Sequence, residues 1–224
     1  MGILLLIFPD GCGRGEKIDY CDECGNAIHT VGGVKVRLDD GAQGNEVSIL
    51  SEPEDTLTVI LHGSYAKVSV ESDVVISNRV IFSIFTESEI TIKKNCTIGA
   101  EFGIDCHSYA SVYIDEDCML SSQIQMIAGD GHSIFDLDKK VRLNPIIPKN
   151  PRNRIHIGRH CWIGFRSIVM YSTSIGESSV VGAASLVKGT FPEHCIIAGN
   201  PARKIRDNVT WDRNNFADYP DIIQ

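Results

Sequence analysis

Three things are scarce in this 224-residue chain, and each absence narrows its function. Long apolar runs come first. Residues 2–9, Gly-Ile-Leu-Leu-Leu-Ile-Phe-Pro, are apolar but far shorter than the roughly 20 residues that span a bilayer. No positive charge precedes them, as a signal peptide would require. Leu6 stands where a myristoylation motif needs Ser or Thr. The segment is therefore expected to be a buried strand or cap, with no membrane span. Positive charge is the second scarcity. Lys and Arg number 21 against 29 Asp and Glu, for a net charge of −8. Such a surface repels nucleic acid and anionic membranes unless a local basic patch intervenes. The third scarcity is any regular cysteine framework. The eight cysteines lack the even spacing of a short secreted chain, which points to a reducing cytoplasm. Cys21-x-x-Cys24, with Cys12 and His29 nearby, lacks a second ligand pair at zinc spacing, so no metal is expected.

What is present is periodic. Ile157, Ile163, Val169, Ile175, Val181 and Val187 stand six residues apart. Helices repeat near 3.6 and half-buried strands at 2, so a sustained six fits neither. It fits a parallel β-helix, in which each short strand supplies one inward aliphatic and then turns a corner. Glycine follows at 158, 164, 176 and 182, where a missing Cβ lets the backbone bend without a clash. Four positions after each aliphatic come Cys161, Ser167, Thr173, Ser179, Ser185 and Phe191, five of them small, as a narrow interior corner demands. Cys96 and Cys118 hold the same corner position after Ile92 and Ile114, and read as small buried hydrophobes. Three hexads make a coil, and coils stack at about 4.8 Å, so residues 18 apart, such as Phe165 and Ala183, lie above one another.

The expected fold is all-β, in a single domain over 1–224, since all-β folds of this length often stay undivided. Residues 1–33 form an N-terminal cap, with 10–33 irregular. A β-helix runs over about 34–206, and a tail over 207–224 is a short helix or an arm packed on a neighbour. The hexad is weak between Val34 and Ile90, as in degenerate early coils. It clears at Ile92, Ile98 and Ile104, and breaks once, with about four extra residues including Cys106–Tyr109, before Ile114, Leu120 and Met126. Residues 133–154 carry no hexad but Lys139, Lys140, Arg142, three prolines, Arg152 and Arg154. They read as a loop thrown out from the coil, and long loops of this kind are usually functional.

Hexads of this kind resemble the left-handed β-helix, hexapeptide-repeat acyltransferases. Gly129-Asp130-Gly131-His132-Ser133-Ile134-Phe135-Asp136 resembles the catalytic-histidine segment of sugar and polysaccharide O-acetyltransferases. Ile157-Gly-Arg-His-Cys-Trp-Ile-Gly164 resembles the coil that follows it. Val181-Gly-Ala-Ala-Ser-Leu-Val187 and Ala198-Gly-Asn-Pro-Ala-Arg-Lys204 resemble the closing segments that hold coenzyme A. The resemblance covers about residues 90–206 and is strongest to capsule, lipopolysaccharide and sialic-acid O-acetyltransferases. It implies the left-handed twist of the helix, acetyl-CoA as co-substrate, and a homotrimer with sites between subunits.

Acetyl transfer to a sugar hydroxyl needs a base, donors for the tetrahedral oxyanion and a positioned thioester. His132 is the expected base, since an imidazole suits proton transfer at neutral pH. Asp130 or Asp136 orients the ring or binds the acceptor. Trp162, expected to face outward, is implied to stand beside the acceptor and the pantetheine arm. The resemblance carries backbone contacts to coenzyme A onto Phe165 and Ala183, and phosphate contacts onto Lys188, Arg203 and Lys204. Lys188 is displaced one position from the family's usual Thr-Lys. His156 and His160 fall on different faces or corners of a coil and read as surface or interface residues. No three-histidine metal set of the γ-type carbonic anhydrases is seen. No cysteine or serine sits in a nucleophile–base motif, so transfer is expected to be direct. The expected acceptor is a sugar hydroxyl of a bacterial surface polysaccharide or its precursor. The basic residues of 133–154 favour an acidic sugar such as sialic acid. An amino sugar, serine or an antibiotic is the alternative acceptor, and a non-catalytic β-helix scaffold the alternative of another class.

Overall fold

The computed structural model of the protein describes residues 3–4, 16–148 and 153–215. Cys12, Pro151, Arg152, Phe216 and Tyr219 lie outside them, as does most of the apolar stretch 2–9. Among the described residues every regular element is a strand, and no helix is long and apolar enough to cross a membrane.

The strands wind into a parallel β-helix with three faces. The first face stacks Glu46–Ile49, Lys67–Val70, Glu89–Ile92, Ser111–Ile114 and Arg154–Ile157. The second stacks the two-residue strands Val75–Ile76, Thr97–Ile98, Met119–Leu120, Trp162–Ile163 and Val180–Val181. The third stacks Val34–Asp39, Leu57–Leu61, Val80–Ile84, Gly103–Cys106, Gln125–Ala128 and the start of Ile168–Ile175. All six hexad aliphatics from Ile157 to Val187 are buried, 0–1% exposed. Burial of such side chains contributes about 1.5–3 kcal/mol each. Cys96, Cys118 and Cys161 are fully buried, as their corner position predicts.

The early coils are irregular up to Lys67, with steps such as Glu46↔Lys67 and Val34↔Leu57, and from Lys67 they follow a regular frame of their own rather than a degenerate hexad. Pairs such as Ile92↔Ile114, Thr97↔Met119 and Ile104↔Met126 lie 22 residues apart, whereas Ile157↔Ile175 and Ile163↔Val181 lie 18 apart. The four extra residues recur at one corner, between the third and first faces, as Phe85-Thr86-Glu87-Ser88 and His107-Ser108-Tyr109-Ala110. A step of ten, from Phe82 to Ile92 and again from Ile104 to Ile114, hides a regular 22-residue repeat in what reads as a single break. Later coils lack the extra residues, and Ile168–Ile175 runs unbroken around that corner to join the two faces in one sheet.

Coil-to-coil contact explains the corner glycines. A Cβ on Gly164 would stand 2.6 Å from the Val181 carbonyl oxygen and 2.7 Å from the Ala183 nitrogen, both backbone atoms of the next coil. The left-handed turn falls two residues later, on Arg166 (φ 61), and likewise on His160 and Ala184.

Both ends differ from expectation. The irregular cap contains an antiparallel hairpin, Lys17–Cys21 against Ala27–Val31, and the latter already pairs in parallel with Glu46–Ile49. Buried Asn26 and Asn45 stitch its base. Asn26 donates to the Ala42 carbonyl, while Asn45 donates to Asn26 Oδ1 and the Gly63 carbonyl. The tail, through residue 215, is not helical but an extended arm that packs on its own chain. Trp211 stacks on His160 of its own chain, ring centroids 4.5 Å apart, and donates to the His160 carbonyl. Arg213 reaches Asp117, Thr97 Oγ1 and the Asn95 and Cys118 carbonyls. The tail thus closes over the corner between the first and second faces, because a planar guanidinium satisfies several acceptors that the coil edge leaves open.

Candidate functional site

The loop leaves the helix at the corner that holds the extra residues. There the rings of His62, Phe85 and His107 stack in a ladder, with centroids 4.7 and 5.0 Å apart. The next rung is Gly129, and its identity has a cause. Its φ is +130, and a Cβ would stand 2.8 Å from His107 Cβ. Glycine lets the chain turn outward directly over the His107 ring. Asp130, Gly131 and His132 follow.

The arm folds back as a hairpin, Phe135–Asp136 against Val141–Arg142. Between arm and corner lies a cleft of about 610 Å³, lined among others by His107, Asp130, His132, Arg142, Asn144 and Tyr171. His132 is exposed there. Asn144 Nδ2 donates to the His132 carbonyl (2.8 Å) and to Asp130 Oδ2 (3.0 Å). Burial lowers the His107 pKa against the opposing pull of the Asp105 and Asp130 carboxylates, and His132 lowers it further. The cleft floor therefore favours a neutral ring.

The two candidate aspartates part company. Asp130 lines the cleft, whereas Asp136 caps the hairpin turn, accepting from the Asp138 (3.0 Å) and Lys139 (2.8 Å) N–H groups. The remaining expected residues lie elsewhere. Trp162 is on the second face, partly exposed, with its indole N–H donating to Ser121 Oγ at 3.2 Å and its ring 6.1 Å from that of Trp211. Phe165 and Ala183 stack one coil apart at the corner between the second and third faces, where the Ala184 N–H donates to the Phe165 carbonyl. Arg203 and Lys204 sit on Ala202–Asp207, which runs antiparallel to Cys195–Gly199. Lys204 is engaged with Asp207 at 2.6 Å. Lys188 lies on a different strand, Leu186–Phe191, with Nζ 3.8 Å over the Tyr171 ring, and Tyr171 lines the His132 cleft. One chain thus gathers His132 and Asp130, and separately Phe165 and Ala183, but does not bring Trp162 to His132.

His107, Tyr171 and Asn144 are among the cleft residues that the sequence does not single out. His107 falls within the four extra residues between Ile104 and Ile114. Tyr171 follows a buried hexad valine, and Asn144 follows the basic part of the arm. No spacing rule marks the last two. His160 is a tail anchor, with Nδ1 2.6 Å from Asp117 and Nε2 2.9 Å from the Trp211 carbonyl. His156 stacks flat on Tyr113. Cys21 and Cys24 are exposed, and His29 faces Asp19 at 2.7 Å.

Comparison with known proteins brings in further observations. The family profile described as the hexapeptide repeat of succinyl-transferase matches residues 154–187. The chain is 33% identical over 131 residues to a polysialic acid O-acetyltransferase of Escherichia coli O1:K1 / APEC, covering 58% of this chain and 40% of that protein. It is 35% identical over 114 residues to the putative lipopolysaccharide biosynthesis O-acetyl transferase WbbJ of Escherichia coli K12, covering 47% and 57%. The chain thus spans 40% to 57% of the length of these two relatives. Among solved structures, the polySia specific acetyltransferase NeuO superposes with a TM-score of 0.72 at 30% identity, over 83% of this chain and 82% of that one. The polysialic acid O-acetyltransferase OatWY superposes at 0.68 and 21% identity, over 86% and 94%, a likeness of fold.

Proposed function

Since the chain belongs to the hexapeptide-repeat, left-handed β-helix acyltransferase family, we propose that it transfers an acetyl group from acetyl-CoA to a sugar hydroxyl of a bacterial surface polysaccharide or its precursor. The observation that carries this reading is the Gly129–His132 turn, which sets an imidazole at the rim of a cleft large enough for a sugar ring. In this reading His132 takes the proton of the acceptor hydroxyl. The hydroxyl oxygen attacks the thioester carbonyl, and a backbone N–H holds the oxyanion. Collapse of the tetrahedral intermediate breaks the C–S bond, and the imidazolium returns the proton to the departing thiolate. Transfer is direct, with no acyl-enzyme. Asp130, in the cleft, serves the acceptor or the base. Phe165, Ala183, Lys188, Arg203 and Lys204 hold coenzyme A, and no metal takes part.

Trp162 and the Phe165 corner stand apart from the His132 cleft in one chain, which supports a site completed between subunits of a homotrimer. Five free, buried cysteines support a reducing, cytoplasmic setting. Arg142 in the cleft supports an acidic sugar, sialic acid among them.

The test is thiol release from acetyl-CoA against a panel of sugars and capsular polymers, with wild type beside His132→Ala. Release that needs both an acidic-sugar acceptor and His132 is expected. Release only with an amino sugar, serine or an antibiotic moves the acceptor class. No release with any acceptor favours a scaffold.

A further inference from the structure

Asp130–Ser133, the turn that carries the histidine, belongs to no strand. Among the described residues, every hydrogen bond made by Asp130–Ser133 runs to one side chain, Asn144. We propose that Asn144 is the positioning residue of this site, locking the His132 turn to the arm. The inference rests on the acetyl-transfer reading for its kinetic consequence but not for its geometry.

A side-chain amide has two N–H donors and a carbonyl oxygen with two lone pairs. Asn144 uses all four. Nδ2 donates to the His132 carbonyl (2.8 Å) and to Asp130 Oδ2 (3.0 Å). Oδ1 accepts from the Ile134 N–H (2.8 Å) and from Arg142 Nε (3.4 Å). Three partners lie on the outgoing limb of the arm and one on the returning limb. One side chain thus fixes the backbone of His132, the carboxylate beside it and the arginine that faces the cleft.

The hairpin does not depend on this residue. The Leu143 N–H donates to the Ile134 carbonyl, and Phe135–Asp136 pairs with Val141–Arg142 by backbone bonds. Removal of the amide therefore leaves an arm but frees the turn. A base displaced by about 1 Å loses on the order of 100-fold in rate. Coenzyme A, expected at the Phe165–Ala183 corner, is untouched.

The experiment compares Asn144→Ala and Asn144→Asp with wild type in the full chain, by steady-state kinetics across pH and by amide exchange. In Asn144→Ala, kcat falls by roughly 10–100-fold with KM for acetyl-CoA unchanged, and the Ile134 amide exchanges faster. Asn144→Asp keeps the shape and the acceptor for Ile134 but sets an anionic oxygen against the His132 carbonyl and the Asp130 carboxylate. The neighbouring negative charge raises the pKa of the introduced carboxyl. Protonation at lower pH restores a donor. The kcat ratio of Asn144→Asp to wild type therefore rises as pH falls, while that of Asn144→Ala stays flat. A purely structural role moves neither ratio with pH. The proposal is overturned if Asn144→Ala keeps kcat within about twofold of wild type. A flat ratio for Asn144→Asp overturns it equally. A wild type with no acceptor-dependent release overturns the proposed reaction instead. The tie is then read from Ile134 exchange alone, and unchanged exchange in Asn144→Ala removes it too.

Discussion

The coils before the arm and those after it follow one architecture with different arithmetic. From Lys67 to Ala128 each turn takes 22 residues, and from Arg154 to Val187 each takes 18. The whole difference sits at one corner. Before the arm that corner carries a turn of four or five residues and the His62–Phe85–His107 ladder. After it, Ile168–Ile175 passes straight through. The arm erupts where the first pattern ends, and the cleft opens beside it. The clean hexads present shallower features, such as the Phe165–Ala183 stack and the exposed Trp162. A repeat that closes in 18 residues leaves no chain over for a pocket, and the looser corner does.

Several substitutions break or sharpen that contrast. The largest effect is expected at the boundary. His132→Ala should lower kcat by about 10²–10⁴-fold while leaving the melting temperature unchanged, since the ring is exposed. A paired test on glycines separates the two regions. Gly164→Val presses on the backbone of the next coil and should cost about 1–3 kcal/mol, read by denaturant unfolding. Gly129→Val presses on the His107 side chain and strains a positive-φ turn, so its loss should appear mainly in kcat. Equal stability losses would mean that the two corners are alike.

Smaller still is the tail. Trp211→Ala removes the stack on His160, worth about 0.5–1.5 kcal/mol beyond its buried area, and should speed proteolysis within 208–215 more than it lowers the melting temperature. The smallest effect concerns His107. Burial lowers its folded pKa, so its contribution to stability is complete above the ordinary histidine value near 6.5. The contribution declines as pH falls from there through the lowered value. His107→Phe should flatten that acid limb of the stability–pH curve.

The hexad from Ile157 to Val187 was legible because every sixth side chain is buried in the same way. Cys96, Cys118 and Cys161 were legible for the same reason. The 22-residue coils were not, because the extra residues between Phe82 and Ile92 shift the phase that a six-residue reading relies on. His132 stood out by its glycine context. Asn144 did not, because its role comes from a return of the chain that no local spacing encodes. The tail's contacts within its own chain are not legible, because Trp211 and Arg213 find their partners about 50 and 100 residues away, at His160 and Asp117.

The central claim is that the His132 cleft of one subunit is completed by the Trp162 wall of another. Subunit mixing tests it most directly. His132→Ala and Trp162→Ala are prepared separately, each expected to be nearly inactive, then co-refolded in equal amounts and assayed for acceptor-dependent thiol release. The account predicts recovery to about a quarter of the wild-type rate, the fraction of boundaries at which random mixing joins two intact residues. A mixture no more active than its parents would contradict it.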